Sequence, residues 1–175
     1  MNLLINLMEW SQSQTGRMEF NPIHFDLEDL ISEITLLFSE IAKQKCITIE
    51  KSIILPTPIF GDRNMLSAVL RNLISNAIKF TKSDGKIIIS AIENVNNIDL
   101  SICDNGVGIE QKRVEKLFQL TENYSTLGTE KEKGTGLGLI LCKEFIEKHN
   151  GKIWVDSEVG KGTSINISIP QSNNH

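Results

Sequence analysis

Cysteine is scarce in this chain: three in 175 residues, Cys46, Cys103 and Cys142, far apart and with no Cys-x-x-Cys. An odd, scattered set excludes a disulfide framework and offers no zinc site. It suits free thiols in a reducing compartment, each filling a small core position. Long apolar runs are also missing, and nothing approaches the roughly 20 residues of a spanning helix. Leu3-Leu4-Ile5 and Leu7-Met8 are interrupted by Asn6 and closed by Glu9, with no basic segment before them and no small-residue cleavage site after. A signal peptide is therefore not expected. Two common phosphate-binding signatures are absent, since neither G-x-x-x-x-G-K-[ST] nor G-x-G-x-x-G occurs. Gly160-Lys161-Gly162-Thr163 lacks the P-loop spacing and reads as a hairpin turn. Excess positive charge is lacking too: the net charge is -4 and the pI is near 5.4. That balance argues against a general nucleic-acid binder.

What remains is ordinary for a globular domain, with 40% hydrophobic and 23% charged residues. Residues 2–18 read as a helix with Leu3, Leu4, Leu7, Met8 and Trp10 near one face. Such a stripe must dock, either on its own domain or in an intermolecular bundle. After a break at Asn21-Pro22, Asp26 is a helix N-cap candidate with Asp29 in the capping-box position. Leu27, Leu30, Ile31, Ile34, Leu37, Phe38 and Ile41 then predict an amphipathic helix to about Lys45. Ile47–Glu50 reads as a strand, and Ile59-Phe60 as a short one. Asp62 can cap a helix over 63–80. Lys86–Asn94 and Ile98–Asp104 alternate as two strands joined at Asn96-Asn97. Glu110–Phe118 reads as a short helix, 119–134 as a long loop, and Thr135–His149 as a helix ended by Asn150-Gly151. Lys152–Ser157 and Thr163–Pro170 complete the strands, and 171–175 is a polar tail. Hairpin-linked strand pairs and intervening helices predict an α+β fold. It is a two-layer sandwich, with a mixed, mostly antiparallel sheet and three main helices on one face, plus the N-terminal helix.

Three groups of residues point to chemistry. Asp104 closes a strand and heads Asp104-Asn105-Gly106-Val107-Gly108-Ile109. A carboxylate only accepts hydrogen bonds, so it suits the exocyclic amine of adenine and opposes the carbonyl of guanine. Gly134, Gly136 and Gly138 open a helix, where a glycine-lined backbone can approach a phosphate and free N–H groups can hold it. Asn72 and Asn76, with Lys79 beyond, project from one face of the 63–80 helix. Asparagine disfavours helix interiors. The pair reads either as a solvated polar face or as a site where an amide oxygen ligates Mg²⁺ and Lys79 reaches a phosphate.

The same residues, in order and spacing, resemble sensor histidine kinases. Asn72–Thr81 is similar to their N box, Asp104–Ile109 to the G1 box, Phe118 to a remnant of the F box, and Gly134–Leu139 to the G2 box. The resemblance covers about 22–170 and implies a Bergerat-type ATP-binding domain of the GHKL superfamily over 21–170. It further implies that residues 1–20 are the C-terminal part of a second dimerisation helix. By it, Asn76 ligates Mg²⁺ with Asn72 assisting, and Lys79 contacts phosphate. Asp104 binds the adenine amine, in a base pocket shaped by Gly106 and Gly108 and completed by Ile109 and Phe118. The backbone of Gly134, Thr135, Gly136, Leu137 and Gly138 holds phosphates under a lid of 119–133. The implied partners are ATP, a phosphoacceptor His helix of the same or a partner chain, a response regulator, and a second copy through the N-terminal helix. The implied location is the cytoplasmic part of a membrane-anchored sensor.

Two departures qualify the resemblance. The family's phosphoacceptor is a His followed by Glu or Asp, and none of His24, His149 or His175 has that context. Gln119 follows Phe118 where many relatives carry Arg, and Lys131 and Lys133 are the substitutes at hand. Relatives that hydrolyse ATP with water usually place Glu where Asn72 stands, so Asn72 favours the kinase branch. The alternatives are another GHKL ATPase or protein-serine kinase, and a non-catalytic module using its nucleotide pocket for regulated assembly.

Overall fold

The computed structural model describes residues 19–54, 56–119, 128–129 and 136–171. The helix expected over 2–18, Gly134, Thr135, Lys131, Lys133, most of the 119–133 loop and the end of the tail lie outside them. The elements run β1 (Ile23–Asp26), α1 (Leu27–Gln44), β2 (Thr48–Ile53), β3 (Pro58–Gly61), α2 (Arg63–Phe80), β4 (Lys86–Glu93), β5 (Asn97–Asp104), α3 (Gln111–Val114), α4 (Gly138–Lys148), β6 (Lys152–Glu158) and β7 (Gly162–Pro170).

Five strands form one sheet in the order β2-β4-β5-β7-β6, and β1 pairs with β3 in a separate two-stranded sheet. β2 and β4 are parallel and the other neighbours antiparallel. Strict alternation sends Ile87, Ile89 and Ala91 of β4 and Ile98, Leu100 and Ile102 of β5 to the buried face. Ile165, Ile167 and Ile169 of β7 join them. There they meet the apolar faces of α1, α2 and α4 in one continuous core. The expected two-layer α+β architecture is therefore the one observed.

Capping fixes where the two long helices begin. The Asp26 carboxylate accepts from Glu28 N at 2.9 Å, and Asp62 Oδ1 accepts from Asn64 N and Met65 N at 3.0 Å each. In α2 the buried positions Leu66, Val69, Leu70, Leu73, Ile74 and Ala77 follow the helical period through the middle of the domain.

Several expectations need correction. In α1, Leu27, Leu30, Ile31 and Ile34 are buried, but Leu37 is 61% and Ile41 51% exposed. At roughly 100° per residue, Leu37 lies about 60° round the helix from Ile34, on the flank of the core stripe, whereas Ile41 lies only about 20° from Ile34, within the stripe but in the last turns of α1. The strand β1 was not anticipated: its four residues pair with Pro58–Gly61 and carry no long alternation of their own. The short helix is only Gln111–Val114, not Glu110–Phe118. α4 starts at Gly138, later than Thr135, because Gly136 has φ +73°, which a right-handed helix cannot contain. Among the described residues, no helix is long and apolar enough to cross a membrane.

Candidate functional site

Asp104 is the last inward residue of β5. The row Ile98, Leu100, Ile102 ends in a carboxylate, so the alternation that buries isoleucines also buries Asp104, which is 7% exposed. It pairs in register with Ile87 on one side and Thr163 on the other, and Thr163 pairs with Ser157. Asp104 Oδ1 accepts from Gly106 N at 2.8 Å. Burial pushes the Asp104 carboxyl above its ordinary range, and backbone N–H groups of Gly106 and Thr163 pull partly the other way. A buried carboxylate under that strain is a candidate ligand-binding group.

The loop after Asp104 is held from two sides. Val107 N donates to Phe80 O at 3.1 Å, and a Cβ at position 106 would lie 2.3 Å from that same oxygen. Gly106 is therefore where the loop meets the end of α2. On the other side Gly160 N donates to Val107 O at 2.8 Å, and Ile109 N donates to Ser157 Oγ at 2.9 Å. Ser157 Oγ also lies 2.8 Å from Thr163 Oγ1. The β6–β7 hairpin thus buttresses the loop.

α2 connects this loop to the second glycine cluster. Asn72 is buried on α2; its Nδ2 donates to Ala68 O at 3.1 Å. A Cβ at position 138 would sit 2.7 Å from Asn72 Oδ1, so α4 begins directly against this amide. Asn76, one turn on, is half-buried. The Lys79 ammonium lies over the Phe80 ring, 4.8 Å from its centre. Asn76 and Lys79 thus lie on α2 between its contact with Gly138 at Asn72 and its contact with Gly106 at Phe80. Gly134 and Thr135 lie outside the described residues. Phe118 is partly buried against the core. Gln119 is exposed and turns back on its own segment, its Nε2 donating to Glu115 O at 3.1 Å.

The C-terminus of α2 is a junction that the residue pattern alone did not reveal. Lys45 Nζ, almost fully buried, donates to Ile78 O at 2.9 Å and Lys79 O at 3.2 Å. A cation at a helix C-terminus complements the dipole there. Thr129 N donates to Lys79 O, and Thr129 Oγ1 lies 3.1 Å from both Lys79 O and Thr81 O. A hydroxyl has one proton, so Oγ1 shares it between the two carbonyls. The last free carbonyls of α2 are thereby met by α1, by the first glycine loop and by the segment between the glycine clusters.

Mg²⁺ chemistry can be judged on the donors present. Among the described residues no group of three or more His, Cys, Asp or Glu could hold a metal ion. Mg²⁺ usually takes few protein ligands and completes its shell with substrate phosphates and water. The half-buried Asn76 amide, one turn from Asn72, fits that sparse donor set.

Residues 61–173 match the family described as Histidine kinase-, DNA gyrase B-, and HSP90-like ATPase. The chain is 33% identical over 171 residues to the adaptive-response sensory kinase SasA of Gloeothece citriformis, covering 96% of this chain and 43% of that protein. It thus spans less than half the length of this curated relative. The catalytic domain of histidine kinase ThkA superposes with a TM-score of 0.75 at 33% identity, covering 88% of this chain and 97% of that one. Histidine kinase ThkA in complex with response regulator protein TrrA superposes with a TM-score of 0.76 at 26% identity, covering 97% and 48%. The chain belongs to the histidine kinase-, DNA gyrase B- and HSP90-like ATPase family, and within it to the ATP-binding catalytic domains of sensor histidine kinases.

Proposed function

We propose that this domain binds ATP with Mg²⁺ and transfers the γ-phosphoryl group to a histidine on a separate helix, of the same or a partner chain. The observation that carries this reading is the convergence on α2. Asn72 abuts Gly138 near its middle, and Phe80 meets Gly106 and Val107 at its end. Base-reading acid, metal-binding amide and phosphate-facing helix start are therefore held by one rigid element.

In this reading the buried Asp104 carboxylate accepts the adenine amine, and Gly106, Gly108, Ile109 and Phe118 border the base. Asn76, with Asn72 assisting, holds Mg²⁺, which neutralises phosphate charge when bound. Lys79 faces the phosphates, and the backbone from Gly134 through Thr135, Gly136 and Leu137 to Gly138 cradles them. Phosphoryl transfer asks little covalent chemistry of the protein; catalysis is positioning and charge compensation. The complex of ThkA with TrrA supports a response regulator as the downstream partner here too. Residues 1–20 are read as the end of a dimerisation helix, with Leu3, Leu7 and Trp10 toward a second copy. Sedimentation is expected to show concentration-dependent association; a strict monomer at high concentration contradicts it.

No histidine of this chain is followed by Glu or Asp. Incubated alone with γ-labelled ATP, the chain is expected to acquire no acid-labile label, and to label an added acceptor hairpin. Stable acid-labile label on this chain itself would overturn the assignment.

Thr129 gives a narrower test. Its Oγ1 fastens the segment between the glycine clusters to the end of α2. Thr129→Val keeps the shape and removes about 1 kcal/mol of hydrogen bonding. KM for ATP is expected to rise about fivefold, with Thr129→Ser restoring it. An unchanged KM in the valine variant would show that the contact does not bear on nucleotide binding.

A further inference from the structure

α2 and α4 pack along the length of α4, with Cys142 Sγ 3.9 Å from Val69 O between two contacts at the ends of α4. Near the nucleotide end, Asn72 touches Gly138. At the far end, Asp62 N donates to His149 Nε2 at 2.9 Å. The intervals 62–72 and 138–149 each span about 15 Å at 1.5 Å per residue. The two helices therefore run antiparallel, with α4 held at both its ends against the first half of α2.

The far pin is unusually well specified. His149 is buried, and its Nδ1 lies 2.7 Å from Phe145 O. With Nε2 accepting from Asp62 N, Nδ1 must carry the proton, so the partners assign one neutral tautomer. Burial lowers the His149 pKa, which keeps the ring neutral. A Cβ at position 61 would lie 2.9 Å from the ring's Cδ2, so Gly61 lets the backbone pass against it. The Asp62 carboxylate divides its work: Oδ1 caps α2, and Oδ2 accepts from Asn21 N at 2.9 Å. The Phe20 ring meets the imidazole edge-on, with centroids 4.9 Å apart and planes at 88°. One buried imidazole thus joins the end of α4, the start of α2 and the segment by which the chain enters the domain.

We propose that His149 is a positioning residue. It sets the axial register of α4 against α2, and hence the placing of Gly138 beside Asn72. It links that register to Phe20-Asn21, so displacement of the chain before residue 20 is felt at the phosphate end of the site. The inference rests on the nucleotide-site assignment above for its functional meaning, and on geometry alone for the register.

The test uses the whole chain with three variants. His149→Phe keeps a ring and loses the bond to Asp62 N. His149→Gln offers an amide oxygen to the same N–H. Phe20→Ala removes the entry contact. Two readouts are taken at a temperature where circular dichroism shows every variant folded. The first is amide exchange at Leu139–Leu141 without nucleotide; it is expected to quicken in His149→Phe and return toward wild type in His149→Gln. The second is the affinity for a non-hydrolysable ATP analogue relative to adenosine. That ratio is expected to fall roughly two- to thirtyfold in His149→Phe and Phe20→Ala, with adenosine affinity held, since coupling of this kind is worth about 0.5–2 kcal/mol and each 1.4 kcal/mol is about tenfold. Unchanged exchange and an unchanged ratio in His149→Phe, alongside a lower melting temperature, would reduce His149 to a structural residue and overturn the proposal. Failure of the wild type to bind either ligand would overturn the nucleotide assignment instead, and the exchange readout would still decide the register.

Discussion

Replacing Asp104 with Asn is expected to weaken ATP binding by roughly ten- to a hundredfold and to erase the preference for adenine over guanine. The estimate takes a hydrogen bond to a buried charge as worth about 1.5–3 kcal/mol, with 1.4 kcal/mol per decade of affinity. An amide can donate where the carboxylate only accepts, so the variant no longer opposes the guanine carbonyl. The pH dependence follows from the raised pKa of Asp104. A carboxyl whose folded-state pKa lies above its unfolded value, near 3.9, is buried in its charged form at a cost. That cost is fully present above the folded pKa and disappears below the unfolded one. Lowering pH through this window therefore protonates native Asp104 first. Wild-type ATP affinity should fall there while that of Asp104→Asn stays flat. The difference in melting temperature between variant and wild type should shift toward the wild type. Calorimetric titration and thermal melts in steps from pH 7 down to about the unfolded-state value near 3.9 check both; unchanged ATP affinity in the variant would refute the base-reading role.

Gly108→Ala is expected to be among the most damaging single methyls in the domain. Gly108 has φ +69°, and a Cβ there would lie 2.0 Å from Glu158 O and 2.6 Å from its carbon. The left-handed conformation costs a non-glycine residue about 1–2 kcal/mol, and forced overpacking about 1–3 kcal/mol more. The sum, roughly 2–5 kcal/mol, is a large fraction of an ordinary domain's stability. A loss of about 10 °C in melting temperature follows for a chain of this size, with loss of ATP binding as the loop leaves the β6–β7 hairpin. Gly160→Ala separates the two terms. Gly160 also has a positive φ, +81°, yet nothing lies within 4 Å of its added Cβ. Only the conformational cost should appear, about 1 kcal/mol. Equal losses in the two variants would contradict the close-packing account.

These sites differ in how far the residue pattern reveals them. The helix over 63–80 is legible end to end, because its start is a side-chain cap and its body a regular apolar period. The burial of Asp104 is legible because it continues the inward row of an alternating strand. β1 is not. Its four residues find their partners at Pro58–Gly61, and long-range pairing of so short a strand leaves no local signature. Thr129 was invisible for a related reason: its partners are main-chain carbonyls 48 and 50 residues away, and carbonyls look alike at every position. His149 was visible only as a helix end, since its chief partner is likewise a backbone N–H. The exposed flank of α1 shows the opposite fault. Leu37 and Ile41 fit the helical period, but period alone says neither how wide the covered stripe is nor how far along the helix it stays covered.

The central claim is that the Asp104 loop, α2 and the start of α4 together make an adenine-nucleotide site. Its most direct test is calorimetric titration of the wild-type chain with Mg-ATP and, separately, with Mg-GTP. The account predicts saturable binding of ATP at one site per chain and no measurable binding of GTP at the same concentrations. Equal affinity for the two nucleotides, or heat from neither, would contradict it.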